Sequence, residues 1–439
     1  MWTYHAELIE RAVPRYTSYP TAAEFAGDVG ERDAAGALAR VGGAEPVSLY
    51  VHIPFCREIC WYCGCNTAAA NRSGRLAAYV EALEAEIDLV ADRLGGRGRI
   101  VRIAFGGGSP NALSPLQFVR LLDRLTTRFN AGAASLSIEL DPRTLDASWS
   151  RLAGEAGVGA ASLGVQTFAP HVQQAIGRVQ PEAMIARAVT ALRDAGVGSI
   201  NFDLMYGLPG QSEADLADTL DRSIALRPDR LAVFGYAHLP QMLVRQRRID
   251  GATLPGPRAR FAQAALAHQR LIAVGYRPVG FDHFALPDDP LAQTAQSGRL
   301  RRNFQGFTED GCETLIGLGS SAISRFPDLL VQNEKIAGRY RMLVTAGHLP
   351  AQRGVRRSAD DVARGAVIER LLCDGSALPS AALLRQARTA LAPFVDRGLV
   401  RVAGRRVGIT PGGLPYARMI ASCFDGYRPT SQGMFSHAV

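Results

Sequence analysis

Four cysteines fall between positions 56 and 65, in the stretch VHIPFCREICWYCGCNT (51–67). A thiolate is a soft metal ligand, and Cys-x3-Cys-x2-Cys on a loop after an apolar run lets Cys56, Cys60 and Cys63 curl round one metal centre. Zinc prefers four closed ligands, commonly two Cys-x2-Cys pairs, and the chain has no second pair. Iron–sulfur clusters normally take four cysteines. With three, one iron has no protein ligand and can bind a substrate. Cys65 therefore has two readings: a fourth ligand that closes an electron-transfer cluster, or a thiol that faces the pocket. Phe55, Trp61 and Tyr62 would shield a cluster from water and oxidants. Cys312, Cys373 and Cys423 are isolated and read as packing residues. Clustered and isolated cysteines together are metal-site usage, not a disulfide framework, and argue for a reducing compartment.

Other reactive types stand at the ends of apolar runs. In GGGSP (106–110) the absence of Cβ atoms at Gly107 and Gly108 lets backbone approach a ligand, and Ser109 before Pro110 is a good helix start. An ordinary tight turn is the alternative, and no G-x-G-x-x-G fingerprint is present. Glu139 ends SLSIEL and Asp203 lies within NFDLMYG. A carboxylate at such a place needs a partner, either an internal salt bridge or a ligand's ammonium or hydroxyl. Arg178 reads as a carboxylate anchor or as part of a solvated helix face. His52, His238 and His283 lie on or near strand ends, where structural and lining roles are both open.

These residues need a scaffold that brings strand ends together. VSLYVHI, IVRIAF, SLSIEL, AASLGVQ, SINFDLMYGLP and RLAVFGY read as strands buried on both faces. Amphipathic stretches such as 76–94, 115–129 and 213–226 lie between them. Strand–helix units in series imply parallel strands with right-handed crossovers, closed most economically as a partial (β/α) barrel in an α/β fold. In such folds the site gathers at the carboxyl ends of the strands. Residues 1–35 read as an N-terminal arm broken by Pro14 and Pro20, and 36–345 as the barrel. Residues 346–439 read as a mostly helical, winged-helix-like C-terminal domain with a hairpin at Gly404.

The chain has 439 residues and a formal charge of +8, carried almost wholly by arginine, since Lys335 is the only lysine. On composition alone that charge reads first as an arginine bias of the source genome; the sharper reading is a substrate with several carboxylates, and nucleic acid is weaker, because the arginines are scattered and no recognition motif accompanies them. No apolar run approaches the ~20 residues of a membrane span, and the N-terminus lacks a secretory signal core. The reading is a cytoplasmic protein.

The three-cysteine motif followed by GGGSP resembles the radical S-adenosylmethionine superfamily. Within it, PRYTSYPT, LYVHIPFC, CGCN, SIELDPR, LGVQTF, NFDLMYGLPGQ, YAHLP, FDHFALPDD and SCFDGY resemble the oxygen-independent coproporphyrinogen III oxidases, from residue 14 to residue 427. The resemblance implies a [4Fe-4S] cluster on Cys56, Cys60 and Cys63 and two S-adenosylmethionine molecules. Tyr50, Gly107, Glu139 and Ile323 match positions at the cluster-bound molecule. Tyr62, Gly108, Ser109, Gln166, Arg178, Asp203 and Ala237 match the second. It implies a 5′-deoxyadenosyl radical that abstracts hydrogen from propionates of coproporphyrinogen III, with Cys65 and Glu139 in the reacting centre. Two propionates become vinyl groups, giving protoporphyrinogen IX in haem biosynthesis. An electron donor and acceptor are required, and a monomer is expected. A haem chaperone of the same superfamily lacks the Cys-x-Cys ending and the PRYTSYP arm, both present here; a haem-opening radical methyltransferase is the other alternative. Cys312 stands where the resemblance leads to an acidic residue, near enough to Ile323 to alter the pocket locally.

Overall fold

A computed structural model describes residues 2–70 and 73–428. Met1 and residues 429–439, the extremes of the expected arm and C-terminal region, lie outside the described residues.

All six strands read from sequence are present: β1 (Pro46–Ile53), β2 (Arg99–Gly107), β3 (Ser135–Leu140), β4 (Val158–Gln166), β5 (Ser199–Tyr206) and β6 (Arg230–Gly235). They pair in chain order and all in parallel. Helices cover the sheet between them: after α1 (Glu31–Arg40) come α2 (Ser73–Leu94), α3 (Pro115–Arg128), α4 (Ala147–Glu155), α5 (Pro170–Ala175), α6 (Glu182–Asp194) and α7 (Glu213–Ala225). The local sequence explains their starts. Ser114 accepts from the Gln117 amide, Gln117 reaches back, and Pro115 occupies the first turn, so α3 begins there and buries Phe118, Leu121 and Leu125. Ser212 and Asp215 do the same for α7.

The sheet then grows at both edges. Helix α8 (Pro257–Ala273) leads to the hairpin β7 (Arg277–Val279) and β8 (His283–Ala285), which adds antiparallel to β6. Next come α9 (Pro290–Gln296) and the separate hairpin β9 (Arg301–Asn303) and β10 (Gly306–Thr308). β11 (Thr314–Leu318) returns to pair in parallel with β1, and β12 (Ile323–Phe326), β13 (Leu329–Asn333) and β14 (Ala351–Arg356) continue antiparallel. The order is β14-β13-β12-β11-β1-β2-β3-β4-β5-β6-β8-β7, open at both ends, so the barrel is partial.

Helix α1 runs across residue 35, and β14 lies beyond residue 346 yet belongs to the main sheet. α10 (Ala337–Thr345) precedes β14. After it come α11 (Ala359–Asp374), β15 (Ser376–Ala377), α12 (Ala381–Asp396), β16 (Val400–Ala403), β17 (Arg406–Ile409) and α13 (Ala417–Ala421). β16 and β17 form a hairpin across Gly404, and β15 adds to its edge. Among the described residues no helix is long and apolar enough to cross a membrane.

Candidate active site

The cysteine loop leaves the end of β1, and the ends of β2 to β6 surround it. A cavity of about 500 Å³ opens there, lined by Cys65, Glu139 of β3, Ser162 of β4, and Asn201 and Asp203 of β5. Of the four clustered cysteines only Cys65 lies in this lining, which is why its surface is exposed while Cys60 is buried. The Cys65 amide donates to Cys63 Sγ at 3.4 Å.

Cys60 is approached by two guanidinium groups. Arg178 Nη1 donates to its sulfur at 3.2 Å and Arg143 Nη2 at 3.4 Å. Both arginines also grip Asp141, at 3.2 and 2.7 Å, and Arg143 reaches Glu58 at 3.0 Å. Two guanidinium groups thus fix the position of this one sulfur. Arg178 is therefore no solvated helix residue. It is buried in the turn after α5, with its remaining donors on Gly164 O at 2.6 Å and Gln180 Oε1 at 3.0 Å. Arg143 and Asp141 are the functional pair that sequence reasoning left unused, although SIELDPR contains both.

The other side of the loop is clamped by the segment after β6. Gln246 Nε2 donates to Tyr62 O at 2.8 Å and to Ala237 O at 3.1 Å, and Arg245 donates to Thr67 Oγ1 at 2.7 Å. A Cβ at Gly177 would fall 2.7 Å from the Trp61 ring, so the loop and the α5 turn interlock.

Glu139 and Asp203 resolve the choice left open by sequence. Glu139 accepts from the Gly107 amide at 3.0 Å. Asp203 accepts from Ser162 Oγ at 2.9 Å and Asn201 Nδ2 at 2.8 Å. These partners are neutral, and among the described residues neither acid forms an ion pair, so the salt-bridge reading fails for both. Burial pushes the Glu139 carboxyl up to about 7, with a smaller contribution from the Asp203 charge. Burial likewise raises Asp203, against the pull of Ser162 and Asn201. Two buried acids without cations suit a ligand that brings positive charge.

The glycines of GGGSP are required by contact. A Cβ at Gly106 would lie 2.6 Å from the Glu139 carboxyl carbon, one at Gly107 (φ +106°) 2.3 Å from the His52 ring, and one at Gly108 2.6 Å from Phe55 O. Ser109 is buried, its hydroxyl bonded to Asn111 and to the Asp141 amide. Gln166 closes β4 with φ +65°, strained for a side chain with a Cβ, and its buried Oε1 has no partner. Tyr50 on β1 touches His52 Nδ1 at 3.1 Å and stands edge-on to Phe304, 4.6 Å between ring centres.

Ile323 opens β12 and lines a second cavity of about 680 Å³, which shares Thr17, Arg302 and Phe304 with the first. Cys312 lines neither; its amide donates to Asp310 Oδ1 at 3.0 Å, and Arg325 donates to its carbonyl at 2.5 Å.

Among the described residues no three His, Cys, Asp or Glu side chains converge on a single-ion geometry. The donor set nevertheless suits an iron–sulfur cluster with one open iron. Three thiols lie outside the cavity wall, one of them under two guanidinium groups, and the buried Gln166 Oε1 and the Cβ-free edge at 106–108 leave an acceptor and backbone ready for a ligand alongside.

Residues 50–222 match the model of the radical SAM superfamily. The chain is 41% identical to the oxygen-independent coproporphyrinogen III oxidase of Bradyrhizobium diazoefficiens, over 98% of both chains. It is 39% identical to the protein of that name from Escherichia coli, over 94% of this chain and 93% of the other. The solved structure of coproporphyrinogen III oxidase from Escherichia coli, described as a radical SAM enzyme, superposes with a TM-score of 0.89 at 38% identity, covering 94% of this chain and 97% of that one.

Proposed function

The chain belongs to the oxygen-independent coproporphyrinogen III oxidases of the radical SAM superfamily, and on that premise we propose that it decarboxylates two propionates of coproporphyrinogen III to vinyl groups in haem biosynthesis. The observation that carries this reading is likeness over the whole length, arm and C-terminal region included. Each propionate loses a β-hydrogen atom, its carboxylate as CO2 and one electron, which leaves the carbon–carbon double bond. The electron passes to an acceptor outside the chain.

A [4Fe-4S] cluster and S-adenosylmethionine, when bound, supply the one-electron chemistry that abstracts the hydrogen atom. Cys56, Cys60 and Cys63 would hold the cluster, and Arg143 and Arg178 position the Cys60 sulfur. Glu139 takes the ammonium of the ligand nearest the cluster, beside Tyr50, Gly107 and Ile323. A second S-adenosylmethionine is assigned to Tyr62, Gly108, Ser109, Gln166, Arg178, Asp203 and Ala237. The unpartnered Gln166 Oε1 and the cation-free Asp203 support that assignment. At Arg178 and Ser109 the ligand would share donors already bonded within the protein. Cys65 faces the reacting centre, a role supported by its place in the cavity lining. The seven cysteines are free thiols, in keeping with a cytoplasmic setting. On this reading the chain divides into arm, barrel and C-terminal region, with Ala351–Arg356 counted as part of the barrel sheet.

The test is anaerobic reconstitution with iron and sulfide, followed by coproporphyrinogen III, S-adenosylmethionine and a reductant. Vinyl product and 5′-deoxyadenosine are expected. A Cys65→Ser protein should keep its iron and sulfide and lose the vinyl product. Absence of both products with the unaltered chain rejects the function, and loss of the cluster on changing Cys65 rejects the three-plus-one arrangement.

A further inference from the structure

The cavity carries more positive charge than its own acids neutralise. Five arginines line it: Arg15, Arg102, Arg230, Arg302 and Arg418. Arg102 and Arg230 are paired with Glu309, at 3.0 and 3.3 Å, and Arg230 also with Asp289 at 2.8 Å. Arg15, Arg302 and Arg418 come from three different elements, the arm, β9 and α13, and Arg260 of α8 stands beside Gly235, outside the lining. Arg15 donates to Gly235 O at 3.0 Å and Arg260 to Tyr236 O at 2.7 Å. Arg302 donates to Arg15 O at 3.2 Å. For Arg15 and Arg302 these carbonyl partners satisfy single N–H groups but leave the charges standing.

Arg302 is the most constrained of the group. It is 8% exposed, and its guanidinium lies over Phe307 at 4.4 Å and Phe281 at 5.1 Å from the ring centres. The aromatic faces fix its plane. Among the described residues its Nε and Nη1 are buried without a hydrogen-bond partner, and so is Nε of Arg260. The neighbouring carboxylate, Asp282, is bonded to His283 at 2.6 Å. A buried charged donor left unmade is costly, so a site built this way is completed by an anion. The planar fork of arginine matches a carboxylate.

A single cavity joins Arg15 and Arg302 to Cys65 and Glu139.

We propose that Arg302 and Arg15 are the seat for a propionate of the substrate that does not react, holding the macrocycle while another propionate faces Cys65 and Glu139. The inference rests on the tetracarboxylate substrate proposed above. It makes the two arginines positioning residues that fix which side chain meets the chemistry.

The test compares binding of coproporphyrin III, the stable oxidised form, with its uncharged tetramethyl ester, by fluorescence titration of the reconstituted enzyme. Arg302→Gln and Arg15→Gln are each expected to weaken the acid roughly tenfold to a hundredfold, the range for a charge-assisted hydrogen bond. Affinity for the ester should stay unchanged. Arg302→Lys, which keeps charge without the fork, should recover part of the loss. The KM for coproporphyrinogen III should rise in step while S-adenosylmethionine affinity holds. Equal weakening of acid and ester, or no weakening of the acid in either variant, overturns the proposal. Arg15, exposed on the arm, provides a variant with little folding risk. Failure of the functional reading is a different result: no vinyl product from the unaltered enzyme.

Discussion

Glu139 is the residue at which pH should act on ligand binding. Its carboxyl is held near the cavity by one amide, and burial pushes it up to about 7. Below that pH it is neutral and offers an ammonium ligand little; above it the full charge is present. Affinity for S-adenosylmethionine should therefore rise as pH increases through about 7 and then level off, with a slope of up to roughly tenfold per pH unit below the midpoint. Glu139→Gln should bind weakly and without that slope. Titrations of the reconstituted protein between about pH 6 and 8.5 decide it, and a flat profile in the unaltered chain would sink the idea. At this scale the sequence was informative where a residue type was out of place. Cysteines on a loop and acids at the ends of apolar strands announce themselves. Arg143 and Arg302 did not, because in a chain whose cations are nearly all arginine nothing local separates a paired surface arginine from a buried one. Gln166 was mute for another reason: its signal is a backbone angle and an unpartnered oxygen, and neither is written in residue type.

Helix α2 illustrates what element periodicity does and does not convey. Tyr79, Leu83, Glu86 and Val90 share one face by helical spacing, and the face is buried, acid included. Glu86 accepts from the Gly319 amide at 2.6 Å, Tyr340 OH at 2.6 Å and Asn333 Nδ2 at 2.7 Å. Tyr79 OH donates to His52 O at 2.7 Å and accepts from the Ser320 amide at 3.0 Å. The two side chains thus pin the β11–β12 turn and the end of β1 to the helix. Burial raises Glu86 to about 7 from the ordinary 4.5, despite three donors that pull the other way. Between those values the native state holds the proton more firmly than the unfolded chain. Stability is therefore greatest below about 4.5, falls as pH rises through 7, and is flat beyond, by on the order of 3 kcal/mol from this group. Urea unfolding of the unaltered chain and of Glu86→Gln should show this fall in the first and not the second; parallel profiles would refute it. The parallel strands were legible because each is a continuous apolar run. β11 was not, since five residues acquire their meaning only from pairing beside β1, far away in the chain.

At the scale of the whole molecule, the arm joins parts that are distant in sequence. Local reading saw only prolines and polar residues and predicted an extended segment. It could not see that Trp2, Arg15 and Thr17 line the cavity or that Leu8, Ile9 and Val13 are buried, because long-range contacts leave no local pattern. Tyr416, at the entrance to α13, accepts from the His5 amide at 2.9 Å and donates to Thr3 O at 2.7 Å. Tyr16 donates to Asp425 Oδ2 at 2.9 Å, and Tyr19 OH accepts from the Gly426 amide at 2.8 Å. The C-terminal region therefore serves as the anchor that keeps the arm across the cavity. Tyr416→Phe removes two of these bonds at once, without opening a large hole or touching the cysteine loop. Each buried bond is worth about 1 kcal/mol, so the arm should detach more often while the protein stays folded. Three results are expected together: faster proteolytic cutting within the first twenty or so residues, a higher KM for the tetrapyrrole, and unchanged iron and sulfide content. The joint pattern is what distinguishes a cover held in place from outside the barrel. If cluster content fell with the KM change, the C-terminal contact would be supporting the barrel itself; if proteolysis and KM both stayed as before, the arm would be held by its apolar burial alone.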